Sequence, residues 1–145
     1  MKKFRFLVTL VLSSMYVFAS YANPDAILGV WQNGTGRGHV QIYKENGKYY
    51  GKVIWLKIPV DASGHPKLDV KNQDANLRNK SLIGLTMLKE FIYEDGEWTG
   101  GKIYNPEDGK EYKCILKLKD DKTLKVRGFI GFSWIGKTDI WQRVR

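Results

Sequence analysis

Between Tyr112 and Lys119 apolar and polar positions alternate with a period of two. Tyr112, Cys114, Leu116 and Leu118 fall on one side, and Lys113, Ile115, Lys117 and Lys119 on the other. That pattern predicts a half-buried antiparallel strand with lysine on its outer face. Turn chemistry brackets it. Asn105-Pro106-Glu107-Asp108-Gly109 precedes it, with proline presetting φ and glycine accepting positive φ, and Asp120-Asp121-Lys122 follows. Trp98 to Gly131 therefore reads as a three-stranded meander, which needs further strands to cover its apolar face and its edges.

The remaining chain supplies them. Asn23 to Gly29 reads as one helical turn, capped by Asn23, with Pro24 at its first position and Gly29 as its stop. Gly29-Val30-Trp31 starts the first strand. His39 to Lys44 and Lys48 to Leu56 form a hairpin around Asn46-Gly47, and Tyr49, Gly51, Val53 and Trp55 share one face, which puts Trp55 in the core, the more frequent place for it, or in a pocket wall. Ile83 to Tyr93 is the next strand and turns at Asp95-Gly96; Trp134 to Val144 is the last, with a bend at Ile135-Gly136-Lys137. Eight short strands with regular turns predict an all-β, eight-stranded antiparallel up-and-down barrel with a short N-terminal helical turn.

Residues 57–82 break the rhythm. They are polar, carry Pro59 and Pro66, and show no alternation. Two readings stand: a mobile surface excursion, or a lid or rim over an internal cavity, with Asp74 capping a turn that sets Leu77 and Arg78 against the barrel mouth. Gly34-Thr35-Gly36-Arg37-Gly38 superficially suggests a phosphate cradle, but a strand follows it where a helix N-terminus is needed.

Composition changes this picture in three ways. Lys2, Lys3 and Arg5, the mostly apolar run Phe6 to Val17 and Ser20-Tyr21-Ala22 have the layout of a signal peptide, residues 1–22, cleaved after Ala22. The expected mature chain, residues 23–145, is one domain without a transmembrane span, placed in the periplasm or secreted. Net charge is +9 over the whole chain, and its lysines are spread along strands, which disfavours nucleic acid as a partner. Cys114 is the single cysteine, so no intrachain disulfide forms, and a buried apolar thiol is expected.

Gly29-Val30-Trp31, opening the first strand behind a helical turn, looks like the lipocalin Gly-x-Trp signature. The resemblance implies that Gly29 and Trp31 close one end of the barrel beneath a cation supplied by Arg143 or Arg127. More specific are Val70-Lys71-Asn72, Leu77-Arg78, Gly101 to Lys110 (GKIYNPEDGK), Arg127-Gly128-Phe129-Ile130-Gly131 and Trp141-Gln142-Arg143-Val144. In that order, behind a signal peptide, they resemble the domain of unknown function 2147 family, small exported bacterial proteins. The resemblance covers nearly all of residues 23–145 and implies export and a lipocalin-like barrel, but no activity. Asn105 departs from it, since an Asp is expected there.

Three functional readings follow. In the leading one the barrel binds or carries a small, largely apolar molecule, with anionic fatty-acid-like compounds included. Its candidate contacts are Tyr104, Tyr112, Arg127 and Trp134 at the lumen or mouth, with Asn72 and Arg78 from the long segment. An inward Arg127 would need Glu111, Asp139 or a ligand anion as partner, although the alternation of Lys125 and Arg127 with Leu124 and Val126 also allows it to face outward. The second reading is an envelope interaction or structural protein with a filled barrel and a protein partner. The third, a hydrolase or isomerase, lacks an activated nucleophile: His39 and His65 are the only histidines, and Cys114 with His39 is the only pair to name. Two histidines and one cysteine at wide spacing make no zinc site. Neither enzyme activity, metal nor cofactor is expected.

Overall fold

The computed structural model describes residues 22–145, so the signal-peptide reading of residues 1–22 falls outside the described residues except at Ala22. Eight strands follow a 3-10 turn, Pro24–Ile27: β1 (Gly29–Gln32), β2 (Gly38–Glu45), β3 (Lys48–Leu56), β4 (Thr86–Glu94), β5 (Glu97–Asn105), β6 (Lys110–Asp120), β7 (Thr123–Phe129) and β8 (Gly136–Arg143). Each pairs antiparallel with its sequence neighbour, and β1 pairs with β8, closing an up-and-down barrel. The turns form where the chain chemistry asks for them. Asn46-Gly47 and Asp95-Gly96 both take positive φ at each residue, the backbone of a two-residue hairpin turn that matches strand twist.

The end carrying these tight hairpins is closed. Asn23 accepts the Asp25 N–H and caps the 3-10 turn, which fits across the barrel floor. Trp31 Nε1 donates to the Ile27 carbonyl at 2.9 Å, Trp98 Nε1 to the Pro24 carbonyl at 3.0 Å, and the Tyr49 hydroxyl to the Asp25 carboxylate. The Arg143 guanidinium lies 4.2 Å over the Trp31 ring and donates to the carbonyls of Ala26, Leu28 and Asp121. Gly29 leaves room for it: a Cβ there would stand 2.7 Å from Arg143 Nη1 and 2.6 Å from the Arg145 carbonyl oxygen.

Above this floor the lumen is packed. Ile42, Tyr49, Leu88, Phe91, Trp98, Leu116 and Leu124 form a continuous buried cluster with Trp31 and Trp141. Glycines make the packing possible, because a Cβ at Gly101 would stand 2.5 Å from the Phe91 ring and one at Gly51 2.8 Å from Leu88. Cys114 belongs to the same cluster, where burial pushes its thiol up to about 12.

Three expectations need correction. β4 begins at Thr86 and not Ile83, because the Leu85 N–H still closes a turn onto the Leu82 carbonyl, although Gly84 and Leu85 already bond Val53 of β3. The last strand begins at Gly136, after a connection that includes Trp134 and Ile135. Trp55 is not core. A bulge beside His39 and Val40 shifts the β2–β3 register, so Trp55 turns outward, 41% exposed, and packs on the His39 ring.

Candidate functional site

The opposite end collects the longer connections, residues 33–37, 57–85, 106–109 and 130–135, and there the lumen is open. A cavity of about 700 Å³ is walled by Met87, Ile103, Tyr112, Val126, Gly128 and Trp141, inward residues of β4 to β8. Asn33, Asn105, Lys137 and Asp139 stand on its lining as the polar groups, and Phe129, Ile130 and Ile135 form its lip. A second hollow of about 320 Å³ adjoins it, sharing Asn33 and Met87, and is walled by Val40, Val53 and Leu56 on the barrel side. The barrel is thus filled in its lower half and open in its upper half, on alternating positions of the same strands.

The polar groups of the rim are organised by local bonds. Asn33 Oδ1 accepts the backbone N–H of Arg37 and of Gly38, so the glycine-spaced loop has spent these donors on itself and offers no phosphate cradle. Asp139 Oδ2 accepts from Trp141 Nε1 at 2.7 Å and from the Gly34 N–H at 3.1 Å, tying β8 to that loop. Asn105 Oδ1 accepts the Glu107 N–H, the turn-closing task an aspartate would also perform. The Tyr112 hydroxyl donates to Asp108, which holds that carboxyl below its ordinary value and raises the phenol.

The residues expected to act together are distributed over three places. Tyr112 lines the cavity. Tyr104 points the other way, to the outer face of β5, buried under the 57–85 segment, and its hydroxyl donates to Asp69 Oδ1 at 2.6 Å. Burial and that carboxylate push the Tyr104 phenol up to about 12. Asn72 donates to the other Asp69 oxygen at 2.8 Å, and Arg78 Nε donates to the Asn72 carbonyl at 2.6 Å. Asn72 and Arg78 therefore organise the segment from within. Arg127 stands outside the barrel, donating to the Ser133 carbonyl and Thr138 Oγ1 and needing neither Glu111 nor Asp139. Trp134 is at an exposed loop tip.

The 57–85 segment has two parts, a strap and a rim. Its outer part is strapped to the barrel flank: Asp69 is only 1% exposed, and the Lys71 carbonyl lies so close to Gly109 that a Cβ there would overlap it at 1.9 Å. Asp74 caps a single 3-10 turn, Ala75–Leu77, which lies on this outer strap with Leu77 and Arg78 exposed. Ile58, Lys67 and Leu82 wall the smaller hollow, so the segment is a rim on one side of the mouth.

Sequence reasoning missed Met87, Ile103 and Trp141 as lining residues. The period-two alternation was the available signal, since Ile103 shares a face with Gly101, and Val126 lies opposite outward Arg127. No three His, Cys, Asp or Glu among the described residues group to hold a metal, and no helix among them is long and apolar enough to cross a membrane.

A family model described as "Uncharacterized protein conserved in bacteria (DUF2147)" matches residues 29–143. No curated protein matches the chain. Among solved structures it is similar to protein HP1028 from the human pathogen Helicobacter pylori, described as belonging to the lipocalin family. The two share 27% identity over 81% of this chain and 82% of that one, with a TM-score of 0.71.

Proposed function

We propose, since the chain belongs to the DUF2147 family and has a lipocalin-like barrel, that it binds or carries a small, largely apolar molecule with one polar end. The observation that carries this reading is the apolar cavity of about 700 Å³ above the packed half of the barrel. Its strand-borne wall is mostly aliphatic and aromatic, and its polar groups are few: Asn33, Asn105, Lys137 and Asp139. That arrangement suits a chain-like body with a head group at the rim. Lys137 is the cation on the lining; Arg127 does not serve, because it lies outside. The volume of the cavity also favours this reading over a solid structural barrel.

Burying ten methylenes is worth about 8 kcal/mol. Association takes back about 4 kcal/mol or more, and a rim hydrogen bond returns about 1 kcal/mol. The balance, about 5 kcal/mol, corresponds to a Kd on the order of 0.1 mM. The signal-peptide reading sets this activity in the periplasm or outside the cell. Binding without catalysis is part of the proposal: Cys114 is buried with a raised pKa, and Asp139 is engaged by Trp141 and Gly34.

Native mass spectrometry of protein recovered gently from its own envelope fraction tests the reading, together with titration by a fluorescent fatty acid. A Cβ at Gly128 would point at Ile103 and Tyr112 across ordinary contact distances of 3.5 and 3.8 Å, so Gly128→Leu places its side chain in the cavity. The expected result is an adduct, and saturable dye binding, that the wild type shows and Gly128→Leu loses at unchanged fold. A clean apo mass and no dye binding in the wild type would sink the proposal.

A further inference from the structure

The connection between β7 and β8 leaves four large apolar side chains in water: Ile130, Phe132, Trp134 and Ile135 are each 60% to 72% exposed. Scattered surface hydrophobics are ordinary, but four within six residues are a patch. The patch is also ordered. The Phe132 and Trp134 rings stack at 4.4 Å with 7° between their planes, forming one flat plate. Two bonds fix its support: the Ile135 N–H donates to the Phe132 carbonyl at 3.0 Å, and Arg127 Nε donates to the Ser133 carbonyl at 2.6 Å. A loop held this firmly with its aromatic side outward has a surface to meet.

The charges beside it indicate which. No carboxylate occurs from Arg127 to Thr138, whereas Arg127 and Lys137 bracket the loop. Below Trp134, on the outer wall, a groove of about 370 Å³ is lined by Lys117, Lys125 and Arg127. Lys117 and Lys125 stand directly opposite each other across β6 and β7, a like-charge pair that disfavours folding unless an anion sits between. Glu97, 3.8 Å from Lys117, is the one acidic residue on the groove and offsets one of its three charges. A second copy of the chain is a poor occupant. Of the net +9, Lys2, Lys3 and Arg5 supply three, so residues 22–145 carry +6 and two such faces repel.

We infer that the β7–β8 loop is a docking element for an anionic lipid bilayer, with the Phe132–Trp134 plate entering the interfacial layer and the Lys117–Lys125–Arg127 groove receiving lipid phosphates. Tryptophan beside cations is the side-chain pairing suited to that layer. Ile130, Ile135 and Lys137 also line the cavity mouth, so docking would turn the mouth toward the membrane. The inference does not depend on the cavity being occupied.

The test uses the protein in the form cells make, its N-terminus fixed by mass, with vesicles of phosphatidylcholine alone or containing one third phosphatidylglycerol. Flotation measures binding. Trp134 reports insertion in a Trp55→Phe background, because Trp31, Trp98 and Trp141 are buried. The expected result is a blue-shifted emission and about tenfold or more tighter binding to the anionic vesicles, reduced by high salt. Phe132→Ser with Trp134→Ser should remove it at unchanged melting temperature, Lys117→Gln with Lys125→Gln should weaken it, and Gly128→Leu should keep it. Equal binding to both vesicle types, binding that survives the Phe132 and Trp134 replacements, or no binding overturns the inference. Dimerisation of the wild type that the same replacements abolish overturns it too, by giving the plate to a second copy.

Discussion

Replacing Arg143 by alanine should open the closed end of the barrel. Its guanidinium donates to the Leu28 carbonyl at 2.7 Å and the Ala26 carbonyl at 2.6 Å in partly buried positions, to the Asp121 carbonyl at 2.6 Å nearer solvent, and covers the Trp31 ring at 4.2 Å. Each sheltered charge-assisted bond is worth about 1.5 kcal/mol, the exposed one little, and the cation over the ring about 1 kcal/mol. Loss of the side chain then costs about 4 kcal/mol. With an unfolding entropy of about 2.1 cal/mol/K per residue over the described barrel, that lowers Tm by about 15 °C. Circular dichroism melts and urea titrations of Arg143→Ala and Arg143→Lys measure it. Lysine keeps the charge over Trp31 but lacks the fork that reaches three carbonyls, so it should recover less than half of the loss. A fall of under about 1 kcal/mol in the alanine variant would show that the carbonyls find water equally well, and that the arginine does not hold the floor.

The strap over the barrel flank gives a second prediction. Tyr104→Phe leaves buried Asp69 without its hydroxyl donor, costs about 2 kcal/mol, and should make limited proteolysis cut first within residues 57–85. Cys114, buried with its thiol pushed up to about 12, should resist a thiol reagent at pH 8 in the native protein and react at once in denaturant; fast native labelling would contradict its burial. The fourth concerns acid. The Tyr112 bond lowers the Asp108 pKa in the folded chain below its ordinary 3.8. The stabilisation is present above that ordinary value and is lost as pH falls through the folded one, so stability should drop more steeply below pH 4 in the wild type than in Tyr112→Phe. Parallel pH profiles for the two would refute the coupling.

The barrel was legible because strand alternation and turn chemistry agree along the chain. Tyr112, Cys114 and Leu116 face in, their lysine neighbours face out, and Asn-Gly and Asp-Gly sit at the hairpins. Trp55 escaped because a bulge resets the alternation, and a bulge leaves no mark in residue type here. Tyr104 escaped for a different reason. Its outward position was readable from Ile103 and Gly101, but nothing in the pattern tells that residues 69–72 return to bury it through Asp69. Arg127 illustrates the limit of choosing a site by chemistry alone: an arginine suits a ligand anion, yet its partners are a carbonyl from the loop that follows it and a hydroxyl from the neighbouring strand β8. The cavity itself depends on which inward residues are small, and only the three-dimensional neighbours of Gly51, Gly101 and Gly128 distinguish filled space from empty.

The seam between β1 and β8 carries a consequence for how the molecule comes into being. It consists of two register pairs, Trp31 with Arg143 and Gln32 with Gln142, extended by backbone bonds between Val30 and residues 144 and 145. Those partners lie at opposite ends of the described chain, so the contact that turns a curved sheet into a cylinder spans the largest loop the sequence can form, and its closure entropy is met last. The floor is linked to the same event, because Arg143 reaches the carbonyls of Ala26 and Leu28. A folding chain can build β2 to β7 hairpin by hairpin, but the cylinder cannot seal until residues 142–145 reach β1. Ring closure thereby makes β8 a latch: loss of residues 143–145 would remove the Trp31–Arg143 pair, the Val30 bonds and the guanidinium over the floor, leaving Gln32 with Gln142 as the one register pair of the seam.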